Sequence, residues 1–249
     1  MVSRIITAAI VCFWIVMTTL LIHLETYPDQ SDLLTLPASH VFRLMFLHQQ
    51  ISDLTISQNG HTLGNLMLHP ESDASLDERS LVFSGGISVQ PPGADKKQRL
   101  TWDGTLVMDH AFKTRSLVLT ASLQDPPYHI HLDIEPLNNR ADYDLALAAR
   151  PVKHASIPLT QDGINSLLRN EFGLDPALLQ NIPMKVGAPT LTAKQTELKI
   201  RNENVVAYLL TFKQGETTLA EIYVSQLGQV LTAKTLLGYN FSTEDLSPP

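Results

Sequence analysis

The sequence predicts a mainly β protein with an α insert, an α+β chain. An N-terminal transmembrane helix is followed by a curved antiparallel sheet, or half-barrel, packed on short helices. Three observations carry this reading. A run near the start has no charged residue and is long enough to cross a bilayer. Most of the remainder alternates apolar and polar residues, in segments spaced about 8–12 residues apart and separated by turn residues. One stretch between those segments changes to helical spacing.

The uncharged run extends from Ile5 to Leu24, 20 residues without Asp, Glu, Lys or Arg. As a helix it spans about 30 Å, the thickness of a hydrocarbon core. A cleaved signal peptide has a shorter apolar region, about 7–15 residues, and then a small-residue cleavage site. Here the run continues through Met17, Leu20, Leu21 and Ile22. His23, Leu24, Glu25, Thr26, Tyr27 and Pro28 follow, a poor cleavage context. Residues 1–27 are therefore predicted to stay attached as a signal-anchor helix. A soluble-core helix would carry a polar stripe, and this one has only Thr7, Thr18 and Thr19. Arg4 precedes the run, whereas Glu25, Asp29 and Asp32 follow it. The basic side tends to remain cytoplasmic. The expected arrangement is a single-pass protein with its N-terminus inside and its body extracytoplasmic, as on a bacterial inner membrane facing the periplasm.

Residues 28–39 read as a linker. In HVFRLMFLHQQ (40–50), Val41, Leu44, Met45 and His48 fall at i, i+3, i+4 and i+7, which predicts a short amphipathic helix with Phe42 and Phe46 on a neighbouring face. Period two begins next. ISDLTISQNGHTLGNLMLHP gives two strands around Asn59-Gly60, the strongest short hairpin signal. Further strands are predicted at 81–89, broken by Gly85-Gly86; at 99–109, with a turn at Asp103-Gly104; and at 116–123, 128–135 and 141–149, the last two joined through Asn138-Asn139. After the insert come strands at 190–201, 205–212, 217–225 and 230–239. Residues 40–243 thus form one β-rich extracytoplasmic domain, and 244–249 a flexible tail.

The insert, 160–180, has Thr160 as N-cap, Asp162 in the first turn and Gly173 as a C′ stop. Asp175-Pro176 starts a second short helix. Ile164, Leu167, Leu168 and Phe172 form one apolar face, and Leu178 and Leu179 follow. These six residues either close the core or form a lid over a cavity that takes an acyl chain. They are the candidate apolar-ligand residues.

Composition excludes several functions. The formal net charge is −7. Leaving aside Arg4 and Glu25, one of each sign, does not change it. Lys96, Lys97 and Arg99 make the only short basic cluster, so no nucleic-acid partner is expected. The single cysteine, Cys12, lies inside the predicted span, which rules out a disulfide framework, a thiolate nucleophile and Cys-ligated zinc in the body. HIHLDIE places His129, His131 and Asp133 on one strand face. Two histidines at i, i+2 can chelate a metal. The opposite face, Ile130, Leu132 and Ile134, is the apolar set of a half-buried strand, so the trio reads as its wet face. His110 has no G-x-S-x-G partner, and no phosphate-binding glycine motif occurs. No catalytic residue, metal or cofactor is expected, and the chain reads as a non-enzyme.

The stretch TTLAEIYVSQLGQVLTAKTLLGYNF (217–241) resembles the late hairpin of lipoprotein-carrier-like envelope proteins. That resemblance implies a curved antiparallel sheet wrapped around helices and holding acyl chains. In layout, an anchored β domain, the chain is also similar to the single-span component of lipopolysaccharide export. No family residue is carried across as a site. Three functional readings follow. The first is a structural or assembly subunit of an envelope complex, contacting protein partners through sheet edges or the anchor. The alternative is binding or transfer of a lipid or other apolar ligand. A hydrolase with a site not visible in sequence is the third.

Overall fold

Alternating apolar residues bury one face of a strand, and consecutive hairpins place such strands side by side. In the computed structural model this builds, among the described residues, one thirteen-stranded, wholly antiparallel sheet. The structure describes residues 36–73, 78–89, 97–124, 127–148, 150–160, 190–200 and 203–243. The predicted anchor 1–27, most of the linker, residues 161–180 of the insert and the tail 244–249 lie outside the described residues. No helix among the described residues is long and apolar enough to cross a membrane.

Helix α1 spans Ala38–His48. Strands β1 (Ser52–Gln58), β2 (His61–Asp73), β3 (Glu78–Val89), β4 (Gln98–Met108), β5 (Thr114–Gln124), β6 (Pro127–Glu135), β7 (Arg140–Leu147) and β8 (Arg150–Pro158) run outward as a meander. A second meander comprises β9 (Thr190–Ile200), β10 (Glu203–Gln214), β11 (Thr217–Ser225), β12 (Val230–Thr235) and β13 (Tyr239–Ser242). It returns so that β13 pairs with β1, Ile56 opposite Phe241. That pairing joins the two meanders. Among the described residues the sheet is not closed: β8 and β9 are its edges.

The sheet curls because it has a helix to cover. Val41, Met45 and Phe46 of α1 are buried and Arg43 and Leu47 exposed, the pattern of an amphipathic helix. α1 touches both β2 and β9, which lie six strands apart in the sheet order. At its start, the Leu36 N–H donates to the Ala193 carbonyl at 2.8 Å. At its end, Gln49 takes a left-handed conformation and its N–H returns to the Met45 carbonyl. The linker expected over 28–39 is thus already bridged to the sheet at Leu36 and helical from Ala38.

Several expected breaks are absent. Gly85-Gly86 and Asp103-Gly104 do not turn; β3 and β4 pair in unbroken register from Arg79 opposite Met108 to Val89 opposite Gln98. These glycines make room for aromatic rings. Phe83 lies opposite Gly104, where a Cβ would come within 2.3 Å of the ring, and Trp102 lies opposite Gly85, where it would come within 2.8 Å. Asn59-Gly60 does turn, with positive φ at both residues as a two-residue hairpin needs. Asn139 takes the left-handed conformation after a 3-10 turn at Pro136–Asn138. The strand expected over 230–239 is two strands, because the chain reverses at Leu236–Gly238 and Gly238 adopts φ 78°. β8 was not expected as a strand. Its Pro151 and Pro158 argue against a central position, and it occupies an edge, where proline is tolerated.

Candidate functional site

Period two places Leu81 and Phe83, Leu106 and Met108, and Leu210 and Phe212 on the concave face, pointing at α1. The helix answers with Phe42, Met45 and Phe46. Between them lies a cavity of about 120 Å³, bounded by strands from β10 round to β5. Among the described residues, Thr235 is the only lining residue with a polar side chain. Ala220 of β11 and Ala233 of β12 are the smallest side chains among the described lining residues. Water finds no partners in such a space, so it is a dry one. It is partly open rather than sealed.

Two loops hold the helix over the cavity. In the β4–β5 loop, Asp109 Oδ1 accepts from the Ala111 and Lys113 N–H groups at 2.8 and 2.9 Å. That small turn holds Phe112 at φ 62°, an uncommon conformation for a bulky residue. The ring is thereby buried with its centroid 6.0 Å from those of both Phe42 and Phe46. The Arg79 guanidinium covers Phe112 at 4.6 Å and donates to the Asp109 carbonyl at 3.1 Å. In the β11–β12 turn, Gly228 approaches Leu44 and Met45 so closely that a Cβ would come within 2.5 Å of the helix backbone. The Val230 N–H donates to the buried Ser52 Oγ at 2.8 Å, and Gln229 Nε2 to the Ile51 carbonyl at 3.3 Å.

The convex face of the arm carries a group of titratable side chains. His129 Nδ1 lies 2.9 Å from Ser122 Oγ and His131 Nδ1 3.3 Å from Thr120 Oγ, both histidines being exposed. Asp144 meets His154 at 2.7 Å. The Arg140 guanidinium, hydrogen-bonded to Asp142, holds that carboxyl below the usual range, with Ser156 adding a second bond. Cross-strand register places His131, Asp144 and His154 in one row. Among the described residues, no three His, Cys, Asp or Glu side chains are placed to hold one metal ion. His129 and His131 instead lie beside hydroxyls of the neighbouring strand.

The six residues expected to meet an apolar ligand, Ile164, Leu167, Leu168, Phe172, Leu178 and Leu179, lie outside the described residues. Among the described residues, the helix that lines the cavity is α1, which the sequence showed as an amphipathic segment without marking it as a site. The signal was present: Phe42 and Phe46 add a second apolar face beside Val41 and Met45, more than one seam against a flat sheet requires. Phe112 carried no signal, because its place depends on a turn made by Asp109.

No family model matches the chain, and no curated protein matches it. Among solved structures it is similar to a beta-barrel-like protein of domain of unknown function DUF1849 from Brucella abortus. The two are 11% identical, the match covers 77% of this chain and 93% of that one, and the TM-score is 0.40. A likeness at this level transfers no activity.

Proposed function

We propose that the β body binds an apolar ligand, the end of an acyl chain or a body of similar girth, between α1 and the concave face of the sheet. The observation that carries this is the dry cavity. Interiors pack as densely as organic crystals and tolerate few voids. A space of about 120 Å³ leaves the side chains around it without part of the contacts that a filled interior gives. A ligand that fills it recovers dispersion contacts on every wall, so occupancy and stability rise together. The volume admits a ring or a few terminal carbons, not a whole lipid, which leaves any headgroup outside. The uncharged segment 5–24 supports an anchored setting for such a body, beside a membrane that supplies acyl chains. The reading of the chain as an envelope assembly subunit is compatible with this, since a ligand-binding body can also serve as one.

Ala220→Leu/Ala233→Leu fills the space from two neighbouring strands without adding polarity. Binding of a fluorescent fatty acid to the full chain in nanodiscs is expected to be saturable and to weaken at least tenfold in the double variant, with folding retained by circular dichroism. Equal binding by both proteins would place the probe elsewhere and remove the proposal.

A further inference from the structure

Two sheet edges end the fold, and they differ. β8 is blunted by Pro151, Lys153 and Pro158, devices that discourage pairing. β9 has no proline and pairs with β10 without a bulge. Its first half is met by Leu36 at Ala193. Among the described residues, nothing pairs with its second half, Gln195 to Ile200.

The backbone phase of that half is fixed. The Leu36 N–H reaches the Ala193 carbonyl, so Ala193 directs its backbone groups away from β10. Alternation gives the same outward direction to Gln195, Glu197 and Lys199. An antiparallel strand laid on this edge must place outward groups opposite outward groups. For two copies of β9 this allows only registers in which some residue faces itself across a two-fold axis. An axis at Glu197 opposes two carboxylates, and one at Lys199 opposes two ammonium groups. An axis at Leu198 does neither. It sets Leu198 against itself and Thr196 against Ile200 on the half-buried face, and Glu197 against Lys199 of the second copy, twice, on the exposed face. The outward pair Glu197–Lys199 is then the one that exchanges backbone hydrogen bonds.

We propose that the β9 edge is a homodimer interface, an isologous antiparallel pairing of two copies about Leu198 that continues the sheet from one body into the other. The occupant is a second copy because the edge is complementary to itself in charge, in apolar face and in hydrogen-bond phase at one register.

The test uses the full chain in membranes, with Cys12→Ser removing the native thiol. Leu198→Cys places two Cα atoms about 4.5 Å apart across the axis, within disulfide reach. It is expected to give a covalent dimer on mild oxidation. Lys194→Cys, whose copies would stand roughly 26 Å apart, is expected to give none. In nanodisc or detergent sedimentation, Glu197→Lys and Lys199→Glu are each expected to weaken the dimer about tenfold, since each creates two like-charge contacts. The exchange Glu197→Lys/Lys199→Glu is expected to restore it to within about twofold. A monomer at all concentrations, cross-linking of Lys194→Cys as readily as Leu198→Cys, or no rescue by the exchange would overturn the proposal. So would recovery of Leu198→Cys cross-linked within one chain, to a cysteine placed before Leu36, because the edge would then be occupied by the chain itself.

Discussion

The part of the sheet wrapped on α1 and the arm formed by β6, β7 and β8 have the same alternating sequence pattern and different interiors. Leu54, Phe83, Leu117, Leu210 and Val224 are no more than 1% exposed beneath the helix. On the arm, Ile134, Ala141 and Tyr143 at its inner end are buried, but Ile130, Leu132, Leu145 and Ile157 on the same side of the sheet are only half-buried. Period two decides which face a residue takes. Whether that face becomes core depends on what is laid against it, and the main contacts of α1 are with β2 and β9.

Truncation should separate the two regions most sharply. Phe83→Ala empties a site that Gly104 has already cleared of a side chain, so the strand opposite cannot fill the hole. The expected loss is about 3–5 kcal/mol, read as a lower midpoint in denaturant. Leu132→Ala on the arm removes a partly exposed side chain and should cost about 1–2 kcal/mol, near the low end of core truncations. Equal losses would mean the arm is as firmly packed as the wrapped region and would erase the distinction.

Titration sharpens the same contrast. In the wrapped region, burial alone pushes the Tyr239 hydroxyl above its ordinary value of 10.0. The folded state favours the neutral phenol, so this contribution is complete below about pH 10 and is lost as pH rises through the raised value. Tyr239→Phe should flatten the alkaline end of the stability profile and leave the neutral range unchanged. A profile that falls as steeply in the variant would assign the alkaline loss to other groups.

Much of the wrapped region could be read from the sequence. Alternation and Asn59-Gly60 gave the β1–β2 hairpin, and the spacing from Val41 to His48 gave α1 within two residues. Glycine was ambiguous for a physical reason. Asp103-Gly104 has the chemistry of a turn, and only the Phe83 ring opposite, distant in sequence, makes it a strand. β8 was hidden by prolines that an edge strand accepts. The joint between β13 and β1 was hidden because a short strand after Gly238 gives too little pattern to separate it from β12. The cavity was not legible at all: it is the difference between the volume of α1 and the hollow of a sheet whose curvature no single strand encodes. The dissimilarity of the two edges was legible in composition, with prolines in one and none in the other. Its consequence required the hydrogen-bond phase that Leu36 reveals.

The smallest expected effect is on the arm, where a charge is shifted by a partner rather than by burial. Arg140, about half exposed, hydrogen-bonds Asp142 at 2.8 Å and lowers its carboxyl from the ordinary 3.8. A depressed carboxylate contributes stability above the usual carboxylate range and loses it as pH falls through the lowered value. Exposed pairs of this kind contribute little and are screened by salt, so the effect is better read on the group itself than on unfolding. Arg140→Ala should return the Asp142 carboxyl toward its ordinary value in a carbon-13 NMR titration. Ser156→Ala should move it in the same direction by less, since its bond ranks second to that of Arg140. Added salt should narrow the gap between wild type and Arg140→Ala, while the alkaline step governed by Tyr239 stays in place. If salt moved both alike, the two regions would share one electrostatic environment, and the wrapped half would be no drier than the arm.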